Sequence, residues 1–437
     1  MHSTSSSEPQ RNVGVAPLEK IFLEVAKRVD GAVLVAGRLA RHKEAVPTAV
    51  LAIGKVSFPM FQGLTASVPG IHKALLVAPA TRFPAQVNLP PGCQALVSDH
   101  PNPTERSLAA GQQALSFVKS LGPKDRLLVL LSGGGSSLAC MPVEALTLDD
   151  KRSAVKAVSR NGASITELNT VRKHLSRIKG GQLGAATKAH TSVWALSDVV
   201  GNDPATIASG PFSPDPTTFA QAGEILNRLA PQAPASVNDW VARGVEGQVP
   251  ETPKPADGRL AHVNYEILAS PENVIETARN CVKTEGFLAG LLSQNVESDV
   301  ENLALSYVQR AQREHAAGGR PRIFVGNGEP SIVVTGNGKG GRATHLALLV
   351  AKGIAGLSGV GFLAAGTDDR DGSADASGAF VDGTTWSKAL AQGLDPQAAL
   401  TNSDSGTLLA AVGALITGPG TSNLLDVHLL SIGGSLS

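Results

Sequence analysis

The chain has 437 residues, which at roughly 150 per domain gives room for two or three domains, and 42% of them are apolar, enough for sizeable cores. Thirty-eight basic residues against 37 acidic ones leave a formal net charge of +1, and aromatics are only 4%, so neither nucleic acid nor an anionic membrane surface is an expected partner. Cys93, Cys140 and Cys281 lie far apart and form neither a disulfide framework nor a zinc spacing.

Residues 1–16 are polar and Ser-rich with no apolar run, which predicts a disordered tail rather than a secretory signal. The longest apolar stretches fall short of the roughly 18 residues of a membrane span. These features predict a cytoplasmic enzyme acting on small molecules, as a monomer or homodimer.

Short apolar runs then recur, each ending in a turn signal: 49–53 before Gly54-Lys55, 74–78 before Pro79, 127–131 before Ser132-Gly133-Gly134-Gly135-Ser136-Ser137, and 193–196 before Ser197-Asp198. Continuous apolar strands of this kind suit a parallel sheet covered on both faces. Between the last two, Ile165, Leu168, Val171, Leu175 and Ile178 recur at helical spacing and leave Asn169, Arg172, Lys173 and Ser176 for other faces. Residues 247–258 carry three prolines and read as a linker or surface loop. A second alternation follows, with strands expected at 265–269, 322–325, 331–335, 360–365 and 427–431. Helices are expected near 271–285, 300–316, after Gly341 and within 405–416.

The prediction is an α/β fold of two α/β domains with mainly parallel sheets and an interdomain active-site cleft. Residues 17–246 would form a Rossmann-like N-terminal domain, 247–260 a linker or surface loop, and 261–437 a C-terminal domain.

Several loops carry residues suited to phosphate chemistry. In the 132–137 loop, three glycines allow successive N–H groups to converge on an oxyanion, and Ser132, Ser136 and Ser137 add hydroxyls. The alternative is a tight strand-to-helix turn without ligand. Lys55 gains interest from its place beyond a buried strand, although a solvated loop lysine is the commoner case. Neither Gly54-Lys55 nor Gly338-Lys339 completes a Walker loop. The 336–341 loop fits Gly-x-Gly-x-x-Gly but lacks the later acidic ribose partner. With Lys339 and Arg342 adjacent, it suits a transferring phosphoryl group at least as well, or is a plain glycine-rich turn. Two acidic loops, 197–204 and 366–372, could supply oxygens to Mg²⁺ or form solvated Asx turns.

Together these blocks resemble the MOFRL-type glycerate kinases. The likeness runs from about residue 18 to 432 and includes Gly54-Lys55, the 131–138 block, Glu167-Leu168-Asn169-Thr170-Val171-Arg172-Lys173-His174-Leu175-Ser176, Lys179-Gly180-Gly181 and Gly340-Gly341-Arg342. The 197–203, 207–211, 366–372 and 417–423 blocks complete it, and residues of about 320–432 would be the MOFRL-like region. The resemblance implies transfer of the γ-phosphoryl group of ATP to the 2-hydroxyl of D-glycerate, with Mg²⁺, giving 2-phosphoglycerate. It implies Lys55 and Arg342 as catalytic cations and Ser132, Gly133, Gly134, Gly135, Ser136 and Ser137 as a phosphate cradle, with Gly338, Gly340 and Gly341 binding nucleotide. Arg172, Lys173, Lys179 and Asp203 would bind substrate, and Asp198, Glu329 and Asp368 would hold the metal or orient the acceptor. One departure stands out: where the family typically continues Gly-Gly-Arg with Asn-Gln-Glu, this chain has Ala343-Thr344-His345. The rivals are an NAD(P)H-dependent hydroxypyruvate reductase using the 336–341 loop, and a catalytically decayed nucleotide-binding sensor.

Overall fold

The fold is taken from a computed structural model that describes residues 17–42, 46–368 and 370–433. The expected N-terminal tail and Asp369 lie outside the described residues. The chain divides into two compact units, one of residues 30–270 and one of residues 1–29 with 271–437.

The first unit is a six-stranded, wholly parallel sheet: β1 Ala49–Ile53, β2 Ala74–Pro79, β3 Cys93–Ser98, β4 Arg126–Leu131, β5 His190–Leu196 and β6 Val263–Ala269. Their order is β3-β2-β1-β4-β5-β6. β1 is buried at all five positions, as its unbroken apolar run requires for a strand covered on both faces. β3, at the sheet edge, has two exposed, three half-buried and one buried position, which is why it left no continuous apolar run to read. In this order the chain winds outward in one direction from β1 and in the other from β4. The chain order therefore switches direction between β1 and β4, and the carboxyl ends of those two strands are the usual ligand position in such sheets.

The second unit has the order β11-β10-β9-β12-β8-β7, with β7 Leu288–Leu291, β8 Arg322–Gly328, β9 Val360–Gly366, β10 Gly378–Asp382, β11 Leu415–Ile416 and β12 Asp426–Ile432. Only the β7–β8 pairing is parallel; β12 runs antiparallel to both β8 and β9, and β10 to β9 and β11. This corrects the expectation of mainly parallel sheets, which holds for the first unit alone. The reason is topological: β12 returns from the far end of the chain and inserts between β8 and β9, reversing direction. Segment 331–335 is not a strand; among the described residues its one ladder-type pairing is an isolated bridge from Ser331 to Asp299, the N-cap of the helix Val300–Ala317.

Two boundaries also differ from the sequence reading. β6 belongs to the first sheet, paired with β5, and Arg38 clamps its Glu266 with Nε 2.8 and 2.9 Å from the two carboxylate oxygens. The helix Leu18–Arg28 belongs to the second unit, where Phe22 is fully buried and Lys20 pairs with Glu285 at 2.8 Å.

Candidate active site

In the first unit the loops after β1 and β4 are stitched to each other. Ser132 N donates to Ile53 O at 3.1 Å, Lys55 N to Gly133 O at 3.0 Å, and Val56 N to Ser132 Oγ at 3.0 Å. Gly54, at φ +136°, is required there because a side chain would run into Ser132. Ser132 is thus fully buried and engaged as a strut. By contrast, the N–H groups of Gly133, Gly134, Gly135 and Ser136 meet no protein acceptor among the described residues. A run of unclaimed donors after a buried strand is what an oxyanion cradle needs.

Gly134 sits in the left-handed region, and the side chain of Lys55 passes directly over it beside the imidazole of His100. His100 follows the edge strand β3 and escaped the sequence reading for the same reason that strand did. Crowding by the surrounding chain, together with the charges of Lys55 and Arg82, pushes its pKa down to about 4, so it stays neutral at physiological pH although part of it reaches solvent.

On the other side of the loop, Ser136 Oγ lies 2.5 Å from Ser209 Oγ, which donates to Asn169 Oδ1 at 2.9 Å. Ser209 is presented by three successive residues at positive φ, Ala208, Ser209 and Gly210. For the two non-glycine residues that is local strain, of the kind that concentrates at functional positions. Lys179 is buried and donates to Ser136 O at 2.7 Å and Ala139 O at 3.2 Å. Burial, with Lys151 and Arg172 nearby, lowers its pKa to about 7. Arg172, on the helix Ile165–His174, reaches towards Asn169 at 3.5 Å.

Two proposed substrate contacts are redirected by the fold. Lys173 is one residue, and so about a hundred degrees of helix, away from Arg172. It is buried against Asp215 at 3.2 Å, and Asp215 also accepts from Thr217 N, Thr217 Oγ1 and Thr252 Oγ1. That pair is structural. Asp203 closes its own turn, accepting from Ala205 N at 3.0 Å and Thr206 Oγ1 at 2.9 Å. Asp198 stands partly buried in the same 197–204 loop.

In the second unit, Arg342 opens the helix Arg342–Gly353 and is held by Asp426 at the start of β12: Nε to Oδ2 at 2.7 Å and Nη2 to Oδ1 at 3.1 Å. Its Nη1 donates to Glu329, immediately after β8. Burial alone would lower its pKa, but the Asp426 and Glu329 carboxylates outweigh that and keep it charged. Three of its five N–H donors are used, leaving two for a ligand. Glu329 therefore serves Arg342, and Asp426, which the sequence reading missed, is its main orienting partner.

The 336–341 loop does not cradle anything. Gly338 N donates to Asn402 O, Lys339 N to Asp404 Oδ1, Gly340 N to Ser373 Oγ and Gly341 N to Thr344 Oγ1. Its glycines are there because residues 402–405 and 371 pack against their α-carbons. The Asp-rich loop that follows β9 is equally occupied: Asp371 caps the Arg342–Gly353 helix by accepting from Ala343 N at 3.0 Å and Thr344 N at 2.7 Å. Burial, then the charge of Asp426, raises the Asp371 pKa. Asp368, partly buried, lies in that loop too. Ala343 and Thr344 are fully buried within this cap, and His345 Nε2 lies 3.5 Å from Glu301. Among the described residues no group of three or more His, Cys, Asp or Glu side chains is arranged to hold a metal ion.

A parallel doubly wound sheet with a glycine-serine loop at its switch point, joined in one chain to a mixed-sheet unit carrying a clamped arginine, defines a two-unit α/β protein. The MOFRL family model matches residues 322–426, and a model described as a domain of unknown function (DUF4147) matches residues 17–242. The chain is 35% identical to the D-glycerate 2-kinase of Thermotoga maritima over 75% of its length and 77% of that protein. It is equally 35% identical to a putative hydroxypyruvate reductase of Agrobacterium vitis, over 95% of this chain and 94% of the relative. The crystal structure of glycerate kinase from T. maritima superposes with a TM-score of 0.82 at 31% identity, covering 95% of this chain and all of that one. The chain belongs to the MOFRL-type glycerate kinase family. Among the described residues no helix is long and apolar enough to cross a membrane.

Proposed function

We propose that the protein is an ATP-dependent glycerate 2-kinase, transferring the γ-phosphoryl group of ATP to the 2-hydroxyl of D-glycerate. The observation that carries this reading is the loop after β4: four unclaimed backbone N–H groups beside the Lys55 side chain, at the switch point of a parallel sheet. The names of the Thermotoga relatives support the substrate.

Phosphoryl transfer requires positioning and positive charge on the phosphoryl oxygens more than covalent participation by the protein. Lys55 and the 133–136 N–H groups supply that charge in the first unit. Arg342, held by Asp426 and Glu329, is the candidate catalytic cation of the second unit. Arg172 and Lys179 are the cations available to an acidic substrate. Mg²⁺ arriving with ATP would be held by one or two carboxylates plus phosphates and retained waters, and would offset charge on the phosphoryl oxygens. Asp198 is the carboxylate proposed for it, with Asp368 as a second. Glu329 is engaged with Arg342.

The reductase reading, suggested by the name of the Agrobacterium relative, needs a dinucleotide cradle. The 336–341 loop follows no strand and spends its 338–341 N–H groups internally, which counts against that reading. Incubation with D-glycerate, ATP and Mg²⁺ should release ADP, while hydroxypyruvate with NADH should leave absorbance unchanged. ATP-induced thermal stabilisation without glycerate-dependent ADP release would instead favour the decayed sensor. Lys55→Ala should lower turnover by orders of magnitude, and an unaffected rate would remove Lys55 from the mechanism.

A further inference from the structure

The helix Leu148–Arg160 carries Lys151 on one row of four-residue spacing and Arg152, Lys156 and Arg160 on the adjacent row, so four cations share one side of it. That side lines a cavity of about 390 Å³, with the Ser136–Ser137 end of the glycine loop, Arg172 and Lys179 also in its lining. Six cationic side chains border this space and no carboxylate does; Asp149, paired with Arg152 at 3.1 Å, is exposed and lies outside the lining.

Lys151 is the informative member. It is 3% exposed, and its Nζ has no hydrogen-bond partner among the described residues, unlike Lys179 with its two carbonyls. An ammonium taken from water without an anion or acceptor is costly, and like charges around it add to the cost. Such an arrangement persists where a ligand supplies the missing charge. The carboxylate of glycerate carries a single charge, too little for six cations, whereas each terminal phosphate brings roughly two.

We propose that this cavity is a polyphosphate subsite, in which Lys151, with Arg152, Lys156 and Arg160 of the same helix, neutralises the phosphoanhydride chain of the phosphoryl donor, beside the Arg172 and Lys179 that face the acidic substrate. The word donor rests on the kinase reading; the chemistry of the subsite does not. The same chemistry would be offered by a nucleotide or by an inorganic chain, and two probes separate them.

The test is calorimetric titration of the full chain, without glycerate, using inorganic pyrophosphate and ADP at low and moderate salt. Both probes should bind, more weakly as salt rises. ADP binding much tighter than pyrophosphate would identify a nucleotide as the source; equal binding would show that the phosphate chain alone is read. Lys151→Met should weaken pyrophosphate by about tenfold or more, the loss expected for a charge-assisted contact. Unliganded, that variant should melt no lower than the parent, because it removes a buried charge that has no partner. Lys156→Gln, at an exposed position, should weaken the same binding by a smaller factor without touching the fold. Unchanged pyrophosphate affinity in both variants, binding of glycerate but neither probe, or a lower melting point for unliganded Lys151→Met would each overturn the proposal. Probe binding without glycerate-dependent ADP release would leave the subsite standing and remove the kinase reading; ADP release with unaltered variant affinities would do the reverse.

Discussion

The side chain of Lys55 lies across the α-carbon of Gly134: a β-carbon built there, at φ +83°, would stand 3.2 Å from Lys55 Cγ and 3.1 Å from His100 Cδ2. Glycine at 134 therefore does two things, allowing the left-handed turn and leaving room for the lysine that crosses it.

Gly134→Ala is expected to cost about 1–2 kcal/mol through its backbone conformation. Turnover should fall further than that stability loss accounts for, by about a hundredfold, since a displacement of roughly 1 Å in a catalytic group has that effect. Melting temperature and kcat measured together decide it. A variant that loses stability but keeps its kcat would show that Lys55 needs no such support.

Arg342 depends on Asp426 in the same way that Lys55 depends on Gly134. Asp426→Asn keeps the shape of the side chain and removes the charge that orients the guanidinium. The kcat for ADP release should drop about tenfold to a hundredfold with little change in KM for glycerate. Glu329→Gln should do less, because Glu329 is half exposed and its pairing is correspondingly screened. Arg342→Lys should behave like the Asp426 variant, since an ammonium cannot make the two-pronged contact.

Lys173 supplies a contrasting case. Lys173→Met leaves Asp215 buried without its cation, which should destabilise the protein by about 3–5 kcal/mol. The KM for glycerate should stay within about twofold, the span of small positional effects. A large KM change with little loss of stability would return Lys173 to the substrate site.

Lys179 makes stability depend on pH. Its native pKa is about 7 against an ordinary 10.5, so between those values the unfolded chain holds a proton that the native chain has released. Stability contributed by this group therefore rises with pH across that window, and the full penalty of burying the ammonium is present below pH 7. Urea unfolding of the parent and of Lys179→Met from pH 6.5 to 9.5 should show a positive slope in the parent that is smaller in the variant. Binding of pyrophosphate should run the other way, weakening as pH climbs past 7 and the ammonium is lost. A parent and variant with parallel pH profiles would contradict this assignment.

The apolar runs at 49–53, 74–78, 127–131 and 193–196 determined most of the first sheet by themselves, because a strand buried on both faces must be apolar throughout, and the glycine-serine loop after the third run pointed to the candidate site. The edge strand β3 was not legible, since all but one of its positions are at least partly open to solvent, and His100 beyond it went unseen for that reason. The spacing of Lys151, Arg152, Lys156 and Arg160 was present in the sequence. What made it informative was the buried and unpartnered state of one amine among them, which only packing reveals. Tertiary structure also decided the two glycine loops. Both read alike as composition, yet the 133–136 N–H groups are left open while those of 338–340 are consumed by residues some 30 to 65 positions away. A hydrogen-bond donor is available to a ligand only when no part of the chain reaches it first, and which distant segments reach it is set by the way the sheets and helices pack.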